Sequence, residues 1–232
     1  DSGEYLTPEE DKQVGLGILG LANLLSQNAI TYKEFGQQLS ILNNGGQPNE
    51  MPAGKLAYAL QQAINSAAVV ARQHGMHRAF CIAPTATCSY NHTDKLGFTT
   101  APEIAPPIDS SVDRDSGTFG VTSYDYGFVE TAAEVGWHDF KKVADGIVKL
   151  FDNTGLFHGY SLNTWSDVVT YDEQFIEEWL HSPQTSIYYS LQVMPDTQRK
   201  DDVASLLDDE YKNMFEPISS ECTEDFCPSC AE

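Results

Sequence analysis

Three stretches of this 232-residue chain combine residue types and spacing that could do chemistry. The first is Pro84-Thr85-Ala86-Thr87-Cys88-Ser89, a turn of small residues and hydroxyls that follows the apolar run Arg78 to Ala83. A turn that leaves a strand and opens a helix offers backbone N–H groups and the positive end of the helix dipole. The hydroxyls of Thr85, Thr87 and Ser89 add donors, so the turn could hold a phosphate without a lysine. Ser and Thr also cap helices in many settings, and spacing alone leaves both readings open. The second stretch is Cys227-Pro228-Ser229-Cys230. Two thiols at this spacing can close a disulfide and act as a redox dithiol. A zinc site would need four ligands, and only Cys222 lies nearby as a third. The third stretch is Tyr188-Tyr189 in the β-prone tetrad Ser186-Ile187-Tyr188-Tyr189. Neighbours in a strand point to opposite faces, so core plus surface is the plain reading. Paired phenols can also relay an electron and a proton together when a radical source is near.

The elements that must position these residues read as an alternation of helices and short strands. Thr7-Pro8-Glu9-Glu10 has the form of a helix start, with the helix running through Val14, Ile18, Leu21 and Leu25. Its nearly all-round apolar content predicts burial. Gly15-Leu16-Gly17-Ile18-Leu19-Gly20 fits a dinucleotide fingerprint, but helix-start signals stand before it where a strand is required. Small residues that let another backbone approach are the reading preferred. Residues 43–52 predict a loop, and Leu56 to Gly75 an amphipathic helix with Gly75 past its end. Arg78 to Ala83 predicts a buried strand. Cys81 and Cys88 lie in or beside the turn, and Cys88 reads as a small buried filler. Residues 101–120 read as a structured loop region, and Tyr124 to Val135 is ambiguous. Asp139 to Phe151 and Asp172 to His181 predict helices, Tyr160 to Thr164 and Ser186 to Tyr189 strands. The alternation argues an α/β architecture over residues 1–189.

After Tyr189 the character changes. Residues 190–232 hold 11 acids and 3 bases and few apolar residues, which predicts a flexible acidic tail. A coil from Tyr189 to Cys230 has an r.m.s. span of roughly 35 Å, enough to visit a site in the same domain.

Composition narrows the function classes. Apolar residues are 41% and aromatics 11%, enough for a core. A net charge of −21 argues against a nucleic-acid polymer as partner, because such binding relies on Lys and Arg neutralising phosphates. It leaves a single nucleotide possible. No apolar run approaches the length of a membrane span, and no secretory signal is visible. Five cysteines, three of them near the end, do not resemble a secreted disulfide framework, so a cytoplasmic setting is expected, the host's if the source is viral.

Taken in order, the Gly-rich segment Val14 to Leu25, Phe80 to Ser89, Glu103 to Pro107, Ser161-Leu162-Asn163-Thr164, Ser186 to Tyr189 and the terminal C-x-x-C resemble the C-terminal half of the large, catalytic subunit of ribonucleotide reductases, a similarity that covers essentially the whole chain. The resemblance implies the second half of a ten-stranded α/β barrel followed by the tail at 190–232. It implies that Pro84, Thr85, Ala86, Thr87, Cys88 and Ser89 hold the substrate phosphates. It implies that Tyr188 and Tyr189 pass a radical, and that Cys227 and Cys230 re-reduce the active-site disulfide. The tyrosine pair favours class I over the cobalamin-dependent class II. No cofactor or metal is then bound by this chain, and the radical comes from a metal-containing small subunit. The implied partners are that subunit, thioredoxin or glutaredoxin, the ribonucleotide substrate, and an N-terminal half bearing the radical cysteine on its finger loop. Nothing matching that loop occurs here, so the chain reads as one piece of a split enzyme. A stand-alone C-x-x-C redox or adaptor protein on a degenerate reductase scaffold is the alternative.

Overall fold

The computed structural model describes residues 12–115, 120–165, 170–182 and 186–191, with side chains described except at 115, 162 and 186–191. In chain order the elements are β1 (Gln13–Leu16), α1 (Leu21–Gln27), α2 (Tyr32–Asn43), α3 (Pro52–Gln73), β2 (Arg78–Ile82), α4 (Ala86–Tyr90), β3 (Ser111–Asp115), β4 (Val121–Asp125), α5 (Ala132–Val135), α6 (Trp137–Asp152), β5 (Phe157–Trp165), α7 (Glu173–Leu180) and β6 (Ser186–Leu191). Four strands form one sheet in the order β1-β2-β5-β6, every pair parallel. Parallel neighbours need long crossovers, and each crossover here carries at least one helix. β3 and β4 form a separate antiparallel hairpin, Ser111 opposite Asp125 and Asp115 opposite Val121. The α/β reading therefore holds as a mixed α/β fold with small sheets. Among the described residues the sheet has four strands and is open at β1 and β6, without evidence of half a barrel.

The segment from Val14 to Leu25 is not one buried helix. Its first part is strand β1, exposed throughout, and the helix begins only at Leu21. Three glycines explain the difference, since each lowers helix stability by about 1 kcal/mol relative to Ala. Gly20 adopts φ +72°, a backbone that ends strand-like continuity and starts α1. A Cβ on Gly17 would stand 2.5 Å from the Cys81 carbonyl oxygen, so small residues do admit a second backbone, but between strands rather than helices.

Helix α2 is absent from the sequence reading although Thr31-Tyr32-Lys33-Glu34 is a capping box. The Glu34 N–H donates to Thr31 Oγ1 at 3.1 Å and the Thr31 N–H donates to Glu34 Oε2 at 3.0 Å. The pairing holds the Glu34 carboxyl below its usual range. A second box, Thr131 with Glu134, opens α5 and resolves the ambiguous stretch into β4 and α5. The region 101–120 likewise contains strand β3 rather than loop alone. Helix α3 starts at Pro52, four residues before the expected start, where a missing N–H does no harm. The predicted helices at 139–151 and 172–181 appear as α6 and α7, α7 capped by the Asp172 carboxylate on the Phe175 N–H at 2.8 Å.

The core lies between the sheet and α2, α3 and α6. Phe140, Val143, Ile147 and Phe151 repeat at helical spacing and are buried, and Phe151 stacks on Phe80 of β2 at 4.8 Å. α2 and α6 approach closely at Gly146, where an added Cβ would stand 2.8 Å from Leu39 Cβ. Asn43 Nδ2 donates to the Gly146 carbonyl at 2.9 Å across the same contact.

Candidate functional site

β2 ends at Ile82, and the chain turns through Ala83 and Pro84 into the single-turn-scale helix α4. The turn is bound reciprocally to one distant residue, Glu103. The Thr85 N–H donates to Glu103 Oε1 at 3.1 Å, and the Glu103 N–H donates to Thr85 Oγ1 at 3.1 Å. The Ser89 N–H donates to the Thr85 carbonyl at 2.8 Å and Ser89 Oγ to the Ala86 carbonyl at 2.7 Å. Thr85 and the fully buried Ser89 thus direct their hydroxyls into the protein. The N–H groups of Ala86, Thr87 and Cys88 fall in the first helical turn, and the Thr87 hydroxyl remains at the surface. Cys88 is exposed, not a buried filler, because α4 turns its Ser89 side inward.

Glu103 is 1% exposed and adopts φ +51°, one of two non-glycine residues with positive φ among those described. That backbone is disfavoured for a residue with a Cβ and persists where surrounding contacts over-determine it. Here the contacts come from three directions. Besides Thr85, the Leu21 N–H of α1 donates to the Glu103 carbonyl at 3.3 Å, and Asn163 Nδ2 of β5 donates to Glu103 Oε2 at 2.8 Å. Burial pushes the carboxyl up to about 7, against the lowering effect of the Thr85 N–H and the Asn163 amide.

The rest of the segment around Glu103 is held in the same manner. Ala101 N–H donates to Asn23 Oδ1 at 2.7 Å, while Asn23 Nδ2 donates to Asp94 Oδ2 at 2.9 Å and the Thr99 carbonyl at 3.0 Å. Burial would raise the Asp94 carboxyl, but Asn23 and the Leu96 and Phe98 N–H groups outweigh it and hold it low. Tyr32 OH donates to the Ile104 carbonyl at 2.9 Å, and Ala132 N–H to that of Pro107 at 2.8 Å. A buried loop is tolerable only when its backbone polar groups find partners, and these contacts supply them. The Gly20 N–H also donates to the Ala101 carbonyl at 3.0 Å, so the opening of α1 after the glycine-rich segment is filled by the chain itself.

Glu103 and Asn163 face a cavity of about 350 Å³ that α4, the 102–108 segment, the β3–β4 hairpin and the end of β5 enclose. Tyr90, Tyr126 and Trp165 supply aromatic walls. The Arg114 guanidinium lies 5.1 Å from the Tyr90 ring centroid, and Tyr124 stacks on the same Tyr90 ring at 4.2 Å. Asn163 Oδ1 is buried without a hydrogen-bond partner. A larger cleft, about 880 Å³, runs along α2 and α6 and includes Lys141, Lys142 and Lys149. None of the residues singled out from the sequence lines it. Its lysines at 141 and 142 already pair with Asp145 and Asp139.

The turn at Pro84 to Ser89 and the Asn163 segment are brought together by Glu103. Tyr188 and Tyr189 lie in β6, beside β5, with Asn163 in register with Tyr189 and Leu162 with Ile187, so the register shift falls at Tyr188. Cys222, Cys227 and Cys230 lie outside the described residues. The sequence reading quoted Glu103 and Asn163 only as parts of motifs, without roles. The signal for Glu103 is a lone acid in Ala101-Pro102-Glu103-Ile104-Ala105-Pro106-Pro107, where the neighbours are otherwise apolar or Pro.

No protein-family model matches the chain, and no curated protein matches it. Among the described residues no three His, Cys, Asp or Glu side chains gather to hold a metal ion, and no helix is long and apolar enough to cross a membrane.

Proposed function

We propose that this chain supplies the second half of the catalytic barrel of a ribonucleotide reductase, with the missing strands and the radical-bearing cysteine provided by a separate N-terminal half. The reaction replaces the ribose 2′-OH by hydrogen. A thiyl radical in the N-terminal half abstracts the 3′-hydrogen, two thiols there supply two electrons and two protons, and the hydroxyl leaves as water while a disulfide forms. This chain's share is substrate phosphate binding at Ala86, Thr87 and Cys88, the relay through Tyr188 and Tyr189, and re-reduction of the disulfide by Cys227 and Cys230. Thiol–disulfide exchange moves the disulfide onto the C-x-x-C pair, and thioredoxin or glutaredoxin then reduces it. Class I chemistry, with the radical from a metal-containing small subunit, agrees with the tyrosine pair.

One observation carries the reading. The Pro84 to Ser89 turn is tied through Glu103 to Asn163 of β5, so three segments of the resemblance are joined by hydrogen bonds, and β6 with Tyr189 pairs beside Asn163. Among the described residues the parallel sheet has no strand beyond β1 and β6, which supports pairing with further strands, since exposed edges are normally covered or paired. The test is reconstitution. The full chain, mixed with an N-terminal half carrying the finger-loop cysteine and with a radical-generating small subunit, is expected to form deoxynucleotide from ribonucleoside diphosphate. Thioredoxin-dependent cycling of the dithiol with no deoxynucleotide under these conditions favours the stand-alone redox alternative.

A further inference from the structure

We infer that Asn44 is a site of spontaneous modification, losing its side-chain amide to attack by the Gly45 backbone nitrogen, and that the cap at the end of α2 sets the rate. This stands apart from the reductase reading and needs only solvent water. Asn44-Gly45 is the one Asn-Gly pair in the chain, and both residues are exposed. A side chain on the following residue hinders the approach of its nitrogen to an asparagine carboxamide, and glycine has none. At Gly45 even an added Cβ would meet nothing within 4 Å, so the loop leaves space for a ring to form. In the first step base removes the proton from the Gly45 nitrogen, which bonds to Asn44 Cγ, and the side-chain NH₂ takes up a proton and leaves as ammonia. Water then opens the five-membered imide at one carbonyl or the other and gives aspartate or isoaspartate at position 44.

The folded chain holds the attacking nitrogen back. α2 ends at Asn43 with Asn44 as its cap, and Gly45 follows at φ +75°. The Gly45 N–H donates to the Leu42 carbonyl at 3.0 Å and the Gly46 N–H to the Ile41 carbonyl at 2.9 Å, the two bonds of a Schellman motif. The nucleophile is therefore occupied until the last turn of α2 opens. Helix ends open locally at far lower cost than the whole fold. Here one more bond resists the opening, Asn43 Nδ2 donating to the Gly146 carbonyl of α6 at 2.9 Å. The products do not restore the cap. Isoaspartate lengthens the main chain by a methylene, and aspartate places a negative charge at a helix C-terminus, where the dipole disfavours it. Asn44 also lines the cleft of about 880 Å³ with Lys141, Lys142 and Lys149, so the new carboxylate appears on its wall.

The experiment incubates the full chain at pH 8 and follows the tryptic peptide 34–55 by mass spectrometry, with isoaspartate read by enzymatic methylation. Conversion at Asn44 is expected in the folded chain, with Asn43 and Asn49 of the same peptide unchanged, and severalfold faster in chain unfolded by urea. Asn43→Ala removes the tie to α6 and is expected to raise the folded-state rate severalfold while leaving the rate in urea unchanged. Asn44→Gln, whose imide would need a six-membered ring, is expected to stay unmodified. Hydrogen exchange at the Gly45 N–H, read by NMR, measures the opening directly. In the unaltered chain the ratio of folded to unfolded conversion rates is expected to equal the open fraction from that exchange, so the test stands even if Asn43→Ala fails to fold. No conversion in the folded chain over the time in which the unfolded chain converts, equal rates in the two states, or an unchanged folded-state rate in Asn43→Ala overturns the inference.

Discussion

Substituting Glu103 by glutamine gives the most quantitative test of the buried hub. The carboxyl is pushed from an ordinary 4.5 to about 7 by burial. A shift of about 2.5 units corresponds to about 3 kcal/mol at about 1.36 kcal/mol per unit. Glu103 is 1% exposed, so solvent screening does not reduce this figure. The sign follows from proton binding. Between pH 4.5 and 7 the folded chain retains a proton on Glu103 that the unfolded chain releases. Stability from this group is therefore full below pH 4.5 and is lost as pH rises through 7. An amide cannot titrate, and its oxygen and nitrogen can still serve the Thr85 N–H and a turned-over Asn163. Urea unfolding of both proteins at pH 5 and pH 8 reads the effect. Other carboxyls, such as Asp94 and Glu34 with lowered values and Glu130 with a raised one, add their own slopes to both proteins equally. The fall in stability from pH 5 to pH 8 is expected to be smaller in Glu103→Gln by about 2 kcal/mol, since part of the effect is already lost at pH 5. An equal fall in both proteins refutes the claim that Glu103 is a desolvated carboxyl joining α4 to β5.

Three further outcomes follow from local geometry. Gly146→Ala places a methyl 2.8 Å from Leu39 Cβ and is expected to destabilise the chain by about 1–3 kcal/mol, seen as a lower urea midpoint with unchanged slope. Thr31→Ala removes the α2 cap and is expected to lose about 1 kcal/mol in the same assay, whereas Glu34→Gln, which can still accept the Thr31 N–H, loses less. Thr87→Ala leaves the fold intact, since the side chain is exposed, and is expected to weaken ribonucleoside diphosphate binding severalfold by calorimetry.

Much of the fold was legible where periodicity and end signals agree. Phe140, Val143 and Ile147 with Asp139 in the first turn mark α6, and the apolar run Arg78 to Ile82 before Pro84 marks β2. In the glycine-rich start the helix cost of Gly15, Gly17 and Gly20 outweighs the apolar density that predicts a helix. A strand four residues long carries too little pattern to compete with the cap signal at Thr7. α2 has its capping box in Thr31 and Glu34, but Gly36 and two glutamines interrupt its apolar positions and hide its period. The turn at Pro84 to Ser89 was legible as a strand-to-helix junction. Which of its hydroxyls face outward was not, because that depends on Glu103, 18 residues later, and on Asn163, 60 residues beyond Glu103. Contacts at such separations leave no periodic trace in a single sequence. The unpartnered Asn163 oxygen is likewise a property of the assembled site.

The central claim is that Tyr188 and Tyr189 carry the radical into a site that this chain completes. The direct measurement is deoxycytidine diphosphate formation from cytidine diphosphate by the reconstituted halves and small subunit, comparing the unaltered chain with Tyr188→Phe and Tyr189→Phe. Phenylalanine keeps the ring and removes the O–H, so each variant is expected to bind substrate normally and to form product at background rate. Full product formation by either variant contradicts the claim.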